Sequence, residues 1–251
     1  MPELSIELIA FLFAIALLAG MIDTLAGGGG LLTLPALIVS GLPPLAALGT
    51  NKLQSTVGTG MATFMMLKHK KVTWRQVKWT MLSAFIGSTL GTIFIQFLDT
   101  AFLSWLIPLV LSIIAFYFLF AKAPHELNRP HKVSDKTYQR FVLPTIGAYD
   151  GMFGPGTGSF FSLAGVSLKG QGLLQATVTA KTLNFATNAA SLIVFIFAGH
   201  VVWVLGSIMM LGQLFGAWLG SHFLFRINPT HLRYLVALMC LAMLIKYLIS
   251  A

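Results

Sequence analysis

Asp23-Thr24-Leu25-Ala26-Gly27-Gly28-Gly29-Gly30, continuing as Leu31-Leu32-Thr33-Leu34-Pro35, is the stretch on which the fold turns. It follows an apolar run from Ser5 to Ile22. A helix needs about 20 residues to cross a bilayer, and the run is long enough. Four successive glycines then end the helix, because each is costly in a helix interior and each admits positive φ. The apolar piece after them, Leu31 to Val39, is too short to span alone. The pattern predicts a broken membrane helix with an acid, Asp23, just before the break.

The same pattern returns in the second half as Tyr149-Asp150-Gly151-Met152-Phe153-Gly154-Pro155-Gly156-Thr157-Gly158-Ser159-Phe160-Phe161. At the breaks the offset is 127: Asp23 falls on Asp150, Gly27 on Gly154 and Gly29 on Gly156. After a two-residue insertion it becomes 129, matching Thr50 with Thr179, Lys52 with Lys181, Trp74 with Trp203, Gly87 with Gly216, Gly91 with Gly220 and Leu103 with Leu232. Chance matches of Leu are common, but matched Asp, Lys, Trp and paired Gly are not. The chain is read as an internal duplication. Residues 1–121 form the first repeat, 122–140 a polar cytoplasmic linker and 141–251 the second repeat.

Composition sets the class. The chain is 57% hydrophobic and 9% charged, against about 25% charged in a soluble domain. This is the make-up of an all-α polytopic membrane protein. Further spans are expected at Leu45–Leu67, Val77–Phe97 and Phe102–Phe120. The first run, preceded by Glu3 and Glu7 with no basic region or cleavage site, reads as a retained segment. The net charge of +9 lies mostly in short loops such as Lys68-His69-Lys70-Lys71-Val72-Thr73-Trp74-Arg75. That distribution fits orientation by the positive-inside rule and not a nucleic-acid groove.

If each half crosses five times, the halves have opposite orientation. With the linker inside, 13 of the 16 basic residues are then cytoplasmic, Lys246 lies outside, and Lys52 and Lys181 lie within spans. If the short pieces do not cross, the halves are parallel and the split falls to 11 against 3. Charge therefore favours inverted repeats.

Broken helices in corresponding places point to a transport site. The Gly-rich turns (Gly28, Gly29, Gly30 and Gly156, Thr157, Gly158) would offer backbone N–H groups at a helix N-terminus, a ready place for an anion. Lys52 and Lys181 are expensive in a membrane core. They are expected to line a cavity or to pair across the repeats; the bland alternative is a structural ion pair. Thr50, Asn51, Gln54 and Ser55 flank the first lysine, and Thr179, Thr182, Asn184 and Asn188 the second. Asn184 and Asn188 are one helical turn apart and share a face. Asp23 and Asp150 are candidates for coupling or gating, or braces for the turns. Gly87/Gly91 and Gly212/Gly216/Gly220 have helix-packing spacing. His69, His125, His131 and His200 fall in loops with no metal-site spacing, Cys240 is alone, and no catalytic constellation, P-loop or cofactor motif is visible.

Asp23 with Gly27–Gly30 and Pro35, the run Gly49-Thr50-Asn51-Lys52-Leu53-Gln54, the motif Asp150–Phe161, and Ala180-Lys181-Thr182-Leu183-Asn184 through Asn188 together resemble the sulfite exporter TauE/SafE family. It is also called the toluene sulfonate uptake permease family, and the resemblance is to its bacterial inner-membrane members of unassigned substrate. It implies a transporter, not an enzyme, for sulfite, sulfonates or other sulfur-containing organic anions. One departure from symmetry stands out: Asn51 precedes the first lysine and Ala180 the second. The expected partners are a small-molecule anion and membrane lipid. The alternatives are a passive anion channel and, with less support, an intramembrane enzyme in which Asp23 and Asp150 mimic an aspartyl pair.

Overall fold

The computed structural model describes residues 5–120 and 132–223, together with positions 238, 240–245 and 249. Readings that rest on Lys122, His125, Arg129, His131, Arg226, Leu232, Arg233 or Lys246 lie outside the described residues.

Among the described residues the regular structure is helical. Helix α1 (Ile6–Ala26) starts where the Ser5 hydroxyl accepts the Leu8 N–H at 3.1 Å. It stops at Gly27, whose φ of +75° an L side chain would resist. The break is narrower than four glycines suggest, since helix α2 (Gly30–Val39) already includes the last of them. The cause is local: the Asp23 carboxylate accepts the Gly29 N–H at 3.2 Å and holds Gly29 in a right-handed helical conformation. Helices α3 (Pro44–Lys68), α4 (Trp74–Ile95) and α5 (Thr100–Phe120) complete the first half. Thr73 and Gln76 form a capping box that starts α4 within the basic loop.

In the second half a short turn, α6 (Asp135–Thr137), runs through a π-helical turn, Tyr138–Val142, into α7 (Leu143–Met152). The helix leading to the second break thus begins inside the stretch read as linker. Helices α8 (Thr157–Lys169), α9 (Leu173–Phe197) and α10 (Trp203–Phe223) follow. The duplication is visible in the element bounds: α3 and α9 are both 25 residues long and start and end 129 positions apart (44 and 173, 68 and 197).

The halves exchange partners. Helix α1 packs along α10 and α7 along α4, so the leading helix of each half lies on the fourth helix of the other. Helices α3 and α9 pack between them. The glycines predicted to serve packing make these contacts. A side chain on Gly87 would strike Pro144 and one on Gly91 would strike Ala148; one on Gly216 would strike Leu17 and one on Gly220 would strike Met21. Under the repeat offsets these are the same two contacts made twice. Such close approach is how small residues let membrane helices pack.

The outer surface is apolar in stripes: Leu82, Ile86, Leu90 and Phe94 on α4, and Phe102, Trp105, Leu109, Ile113 and Phe116 on α5, are exposed. The ionisable side chains Asp23, Lys52, Asp150 and Lys181 are buried instead. That inside-out distribution suits a lipid surround.

Candidate functional site

The two breaks meet. A Cβ on Gly27 would come within 2.8 Å of the Ser159 nitrogen, one on Gly158 within 3.2 Å of the Gly27 Cα, and one on Gly30 within 3.1 Å of the Pro155 Cα. Between the breaks lies a small polar cavity with about 20 Å³ of room for the centre of a water molecule, enough for roughly one water. From the first half Asp23, Gly27, Gly30, Asn51, Ser55 and Thr59 line it; from the second half Gly154, Gly156, Thr157, Gly158, Asn184 and Asn188 do. Helices α2 and α8 start at this cavity. Several of their first amides are already engaged: Leu31 and Leu32 donate to the Gly28 and Gly29 carbonyls at 3.0 Å, and Thr157 and Ser159 to the Gly154 and Gly156 carbonyls at 3.3 and 3.0 Å. The helix dipoles place partial positive charge at the cavity.

The lysines do not line the cavity. Each reaches across to the other half and caps the end of the other half's broken helix. Lys52 Nζ lies 3.0 Å from Asp150 Oδ2, and donates to the Asp150 backbone carbonyl at 2.5 Å and to Asn188 Oδ1 at 3.2 Å. Lys181 Nζ donates to the Asp23 backbone carbonyl and stands 4.0 Å from Asp23 Oδ2. Cationic groups at these positions complement the negative helix C-termini of α7 and α1. The two pairs are related by the repeat, yet their surroundings differ. The Asp150 carboxylate oxygens have no hydrogen-bond partner among the described residues, so Lys52 is their compensation. Asp23 is held by the Gly29 amide and also borders the cavity.

Other expected residues serve the walls. The Thr50 hydroxyl accepts the Val202 N–H at 3.0 Å and so joins α3 to the start of α10. Asn51 Oδ1 accepts from Thr33 at 2.6 Å and from Gln54 Nε2 at 2.8 Å, tying α3 to α2. Asn188 Nδ2 donates to the Asn184 backbone carbonyl at 2.8 Å and to its Oδ1 at 3.2 Å, as two residues on one helical face can. Gly28, Gly29, Thr50, Lys52, Gln54, Asp150 and Lys181 are not among the lining residues; Gly30, Asn51, Gly156, Thr157, Gly158, Asn184, Asn188 and Asp23 are. Thr59 was missed and Ser55 was named only as a neighbour of the lysine. The duplication contained both, because at an offset of 129 they are the counterparts of Asn188 and Asn184. Among the described residues no group of three His, Cys, Asp or Glu could hold a metal ion.

A sequence model described as "Sulfite exporter TauE/SafE" matches residues 12–247. The chain belongs to this family. It is similar to the "Probable membrane transporter protein" of Haemophilus influenzae, 40% identical over 97% of this chain and 96% of that one. It also resembles the "Probable membrane transporter protein ORF9" of a Sinorhizobium species, 38% identical over 99% of this chain and 95% of that one. A third relative, "Probable membrane transporter protein YfcA" of Escherichia coli K12, is 37% identical over 96% of this chain and 90% of its own length. No solved structure matches. As a TauE/SafE member with Ile6–Leu25, Thr100–Tyr117, Leu173–Phe197 and Trp203–His222 long and apolar enough to cross a membrane, the protein is a membrane transporter acting on a small molecule.

Proposed function

We propose that the protein carries small sulfur-containing anions, such as sulfite or small sulfonates, across the cell inner membrane by alternating access. The observation that carries this reading is the meeting of two helix N-termini over a small cavity lined by glycine backbone, hydroxyls, amides and the Asp23 carboxylate. Backbone N–H groups at helix starts favour an anion, and Asn184, Asn188, Thr157 and Ser55 supply donors that orient its oxygens. The two lysines then act behind the site, holding the aspartates and the helix ends that shape it.

The halves are inverted repeats in this reading, supported by the exchanged packing of α1 on α10 and α7 on α4 and by the basic loops. Access from the two ends is unequal. A polar pocket with about 330 Å³ of room lies beside the basic loop, lined by Gln76, Thr80, Gln139, Gln171, Gln175 and Thr179 among others. Leu183 is among its lining residues, and the next residue, Asn184, lines the cavity. The repeat-related positions toward the other end include Leu205 and Met209, which are packed into the apolar core. We read the pocket as a cytoplasmic vestibule leading toward the site. The cavity is too tight for a sulfonate group in this closed form, so transport requires the two repeats to move apart.

The test is uptake of sulfite, methanesulfonate, isethionate and acetate into proteoliposomes of purified protein. Saturable uptake with mutual competition among the sulfur anions is expected. Flux that rises without limit with concentration would make the protein a channel, and no flux of any anion would end the anion reading.

A further inference from the structure

Charge balance at the junction of the two breaks implies a co-transported ion. Among the described residues the buried carboxylates and ammonium groups are Asp23, Asp150, Lys52 and Lys181, two acids and two bases; the other buried ionisable side chains, Tyr138 and Cys240, are neutral at ordinary pH. The helix ends balance as well: the starts of α2 and α8 and the ends of α1 and α7 contribute partial charges of opposite sign. The centre is therefore neutral before substrate arrives. A monoanion entering it would leave one uncompensated negative charge in a low-dielectric interior, which is strongly unfavourable.

One carboxylate is placed to remove that charge. Asp23 lines the cavity, so an anion there lies beside it. It is only loosely bound to its lysine, with Oδ2 4.0 Å from Lys181 Nζ, while Oδ1 accepts from Gly29. The facing elements offer no other compensation. Lys181 on α9 is the ammonium that contacts it, Lys52 on α3 is engaged with Asp150 on α7, Lys169 at the far end of α8 is bonded to Asp135, and His222 of α10 is exposed against Trp218. Helix α2 has no ionisable residue. Asp150 is 1% exposed, does not line the cavity and sits 3.0 Å from its lysine, so it is the brace and not the carrier.

We propose that one proton, carried on Asp23, accompanies each monoanion through the cavity, making the protein an electroneutral proton–anion symporter. The inference rests on the anion reading above. One proton and one negative charge enter together at one face and leave together at the other, and the site returns to its neutral resting state.

The probe is methanesulfonate, a strong-acid anion that brings no proton of its own. Proteoliposomes with a trapped pH dye and a potential clamped by potassium and valinomycin are given an inward methanesulfonate gradient. Lumen acidification at one proton per anion is expected, with about tenfold accumulation for each pH unit the lumen is made more alkaline than the outside. Asp23→Asn should lose both lumen acidification and the pH-driven accumulation. Wild-type uptake without acidification, dependence on sodium, or full acidification by Asp23→Asn would each overturn the proposal while leaving the anion reading intact. If no anion in the panel moves, both fall together. Should Asp23→Asn fail to fold, a wild-type ratio other than one proton per anion still overturns the proposal.

Discussion

Lys52–Asp150 and Lys181–Asp23 are the same cross-half pair built twice, and they have diverged. The first is a closed ion pair: 3.0 Å apart, both side chains 1% exposed, with Asn188 as a further acceptor for the ammonium. The second is open: 4.0 Å apart, with the carboxylate 12% exposed and bordering the cavity. Part of the cause is one substitution between repeats. Thr59 stands where Asn188 stands in the other half, and its hydroxyl donates to the Ser55 carbonyl at 2.6 Å instead of serving a lysine. A duplicated chain has kept one copy of the pair as a brace and released the other toward the site.

The sharpest way to break this comparison is to remove each lysine. Lys52→Gln strands a buried carboxylate with no other recorded hydrogen bond, which costs about 3–5 kcal/mol. Thermal unfolding in detergent should show a large loss, to the point where little folded protein is recovered. Lys181→Gln should cost less, about 1–3 kcal/mol, because Asp23 keeps the Gly29 amide and reaches the cavity. Equal losses in the two variants would erase the distinction between brace and open pair.

A double-mutant cycle sharpens it further. Lys52→Gln with Asp150→Asn should recover much of the loss of either single change, giving a coupling of about 2 kcal/mol or more, whereas Lys181→Gln with Asp23→Asn should couple by about 1 kcal/mol or less. Similar coupling energies would contradict the geometry. The smallest effect concerns the wall behind the open pair. Thr33→Val removes the donor to Asn51 Oδ1 and should cost about 1 kcal/mol, since Gln54 still donates there. Unfolding midpoints and methanesulfonate uptake both check it, with the first falling slightly and the second remaining measurable.

Much of this was legible in the sequence. The duplicated break, the broken helices, the packing glycines and the membrane class follow from residue types whose physics is local. Gly87 and Gly91 declare a close helix contact by spacing alone, and Asn184 and Asn188 declare a shared face. What could not be read is where a long side chain goes once helices from different halves meet. Lys52 was open to two readings, lining a cavity or pairing across the repeats, and its polar neighbours in sequence do not choose between them. Its partners, Asp150 and Asn188, are about a hundred or more positions away and on the other repeat. Gly29, similarly, belongs to the first break by sequence, yet a Cβ there would meet Ala19 and Asp23 of α1, within 2.7 Å, and not the cavity. Thr59 went unseen because a threonine inside a span is unremarkable until its repeat-mate is known to matter.

The most direct measurement of the proposed site is anion affinity of purified Asn184→Leu, which keeps side-chain size while replacing a lining amide with an apolar group. Methanesulfonate binding should weaken by at least about tenfold, as expected when a buried hydrogen bond to a charged group is lost. The unfolding midpoint without ligand should stay close to that of the wild type. Unchanged affinity in a folded Asn184→Leu protein would place the anion elsewhere and contradict a site where the two breaks meet.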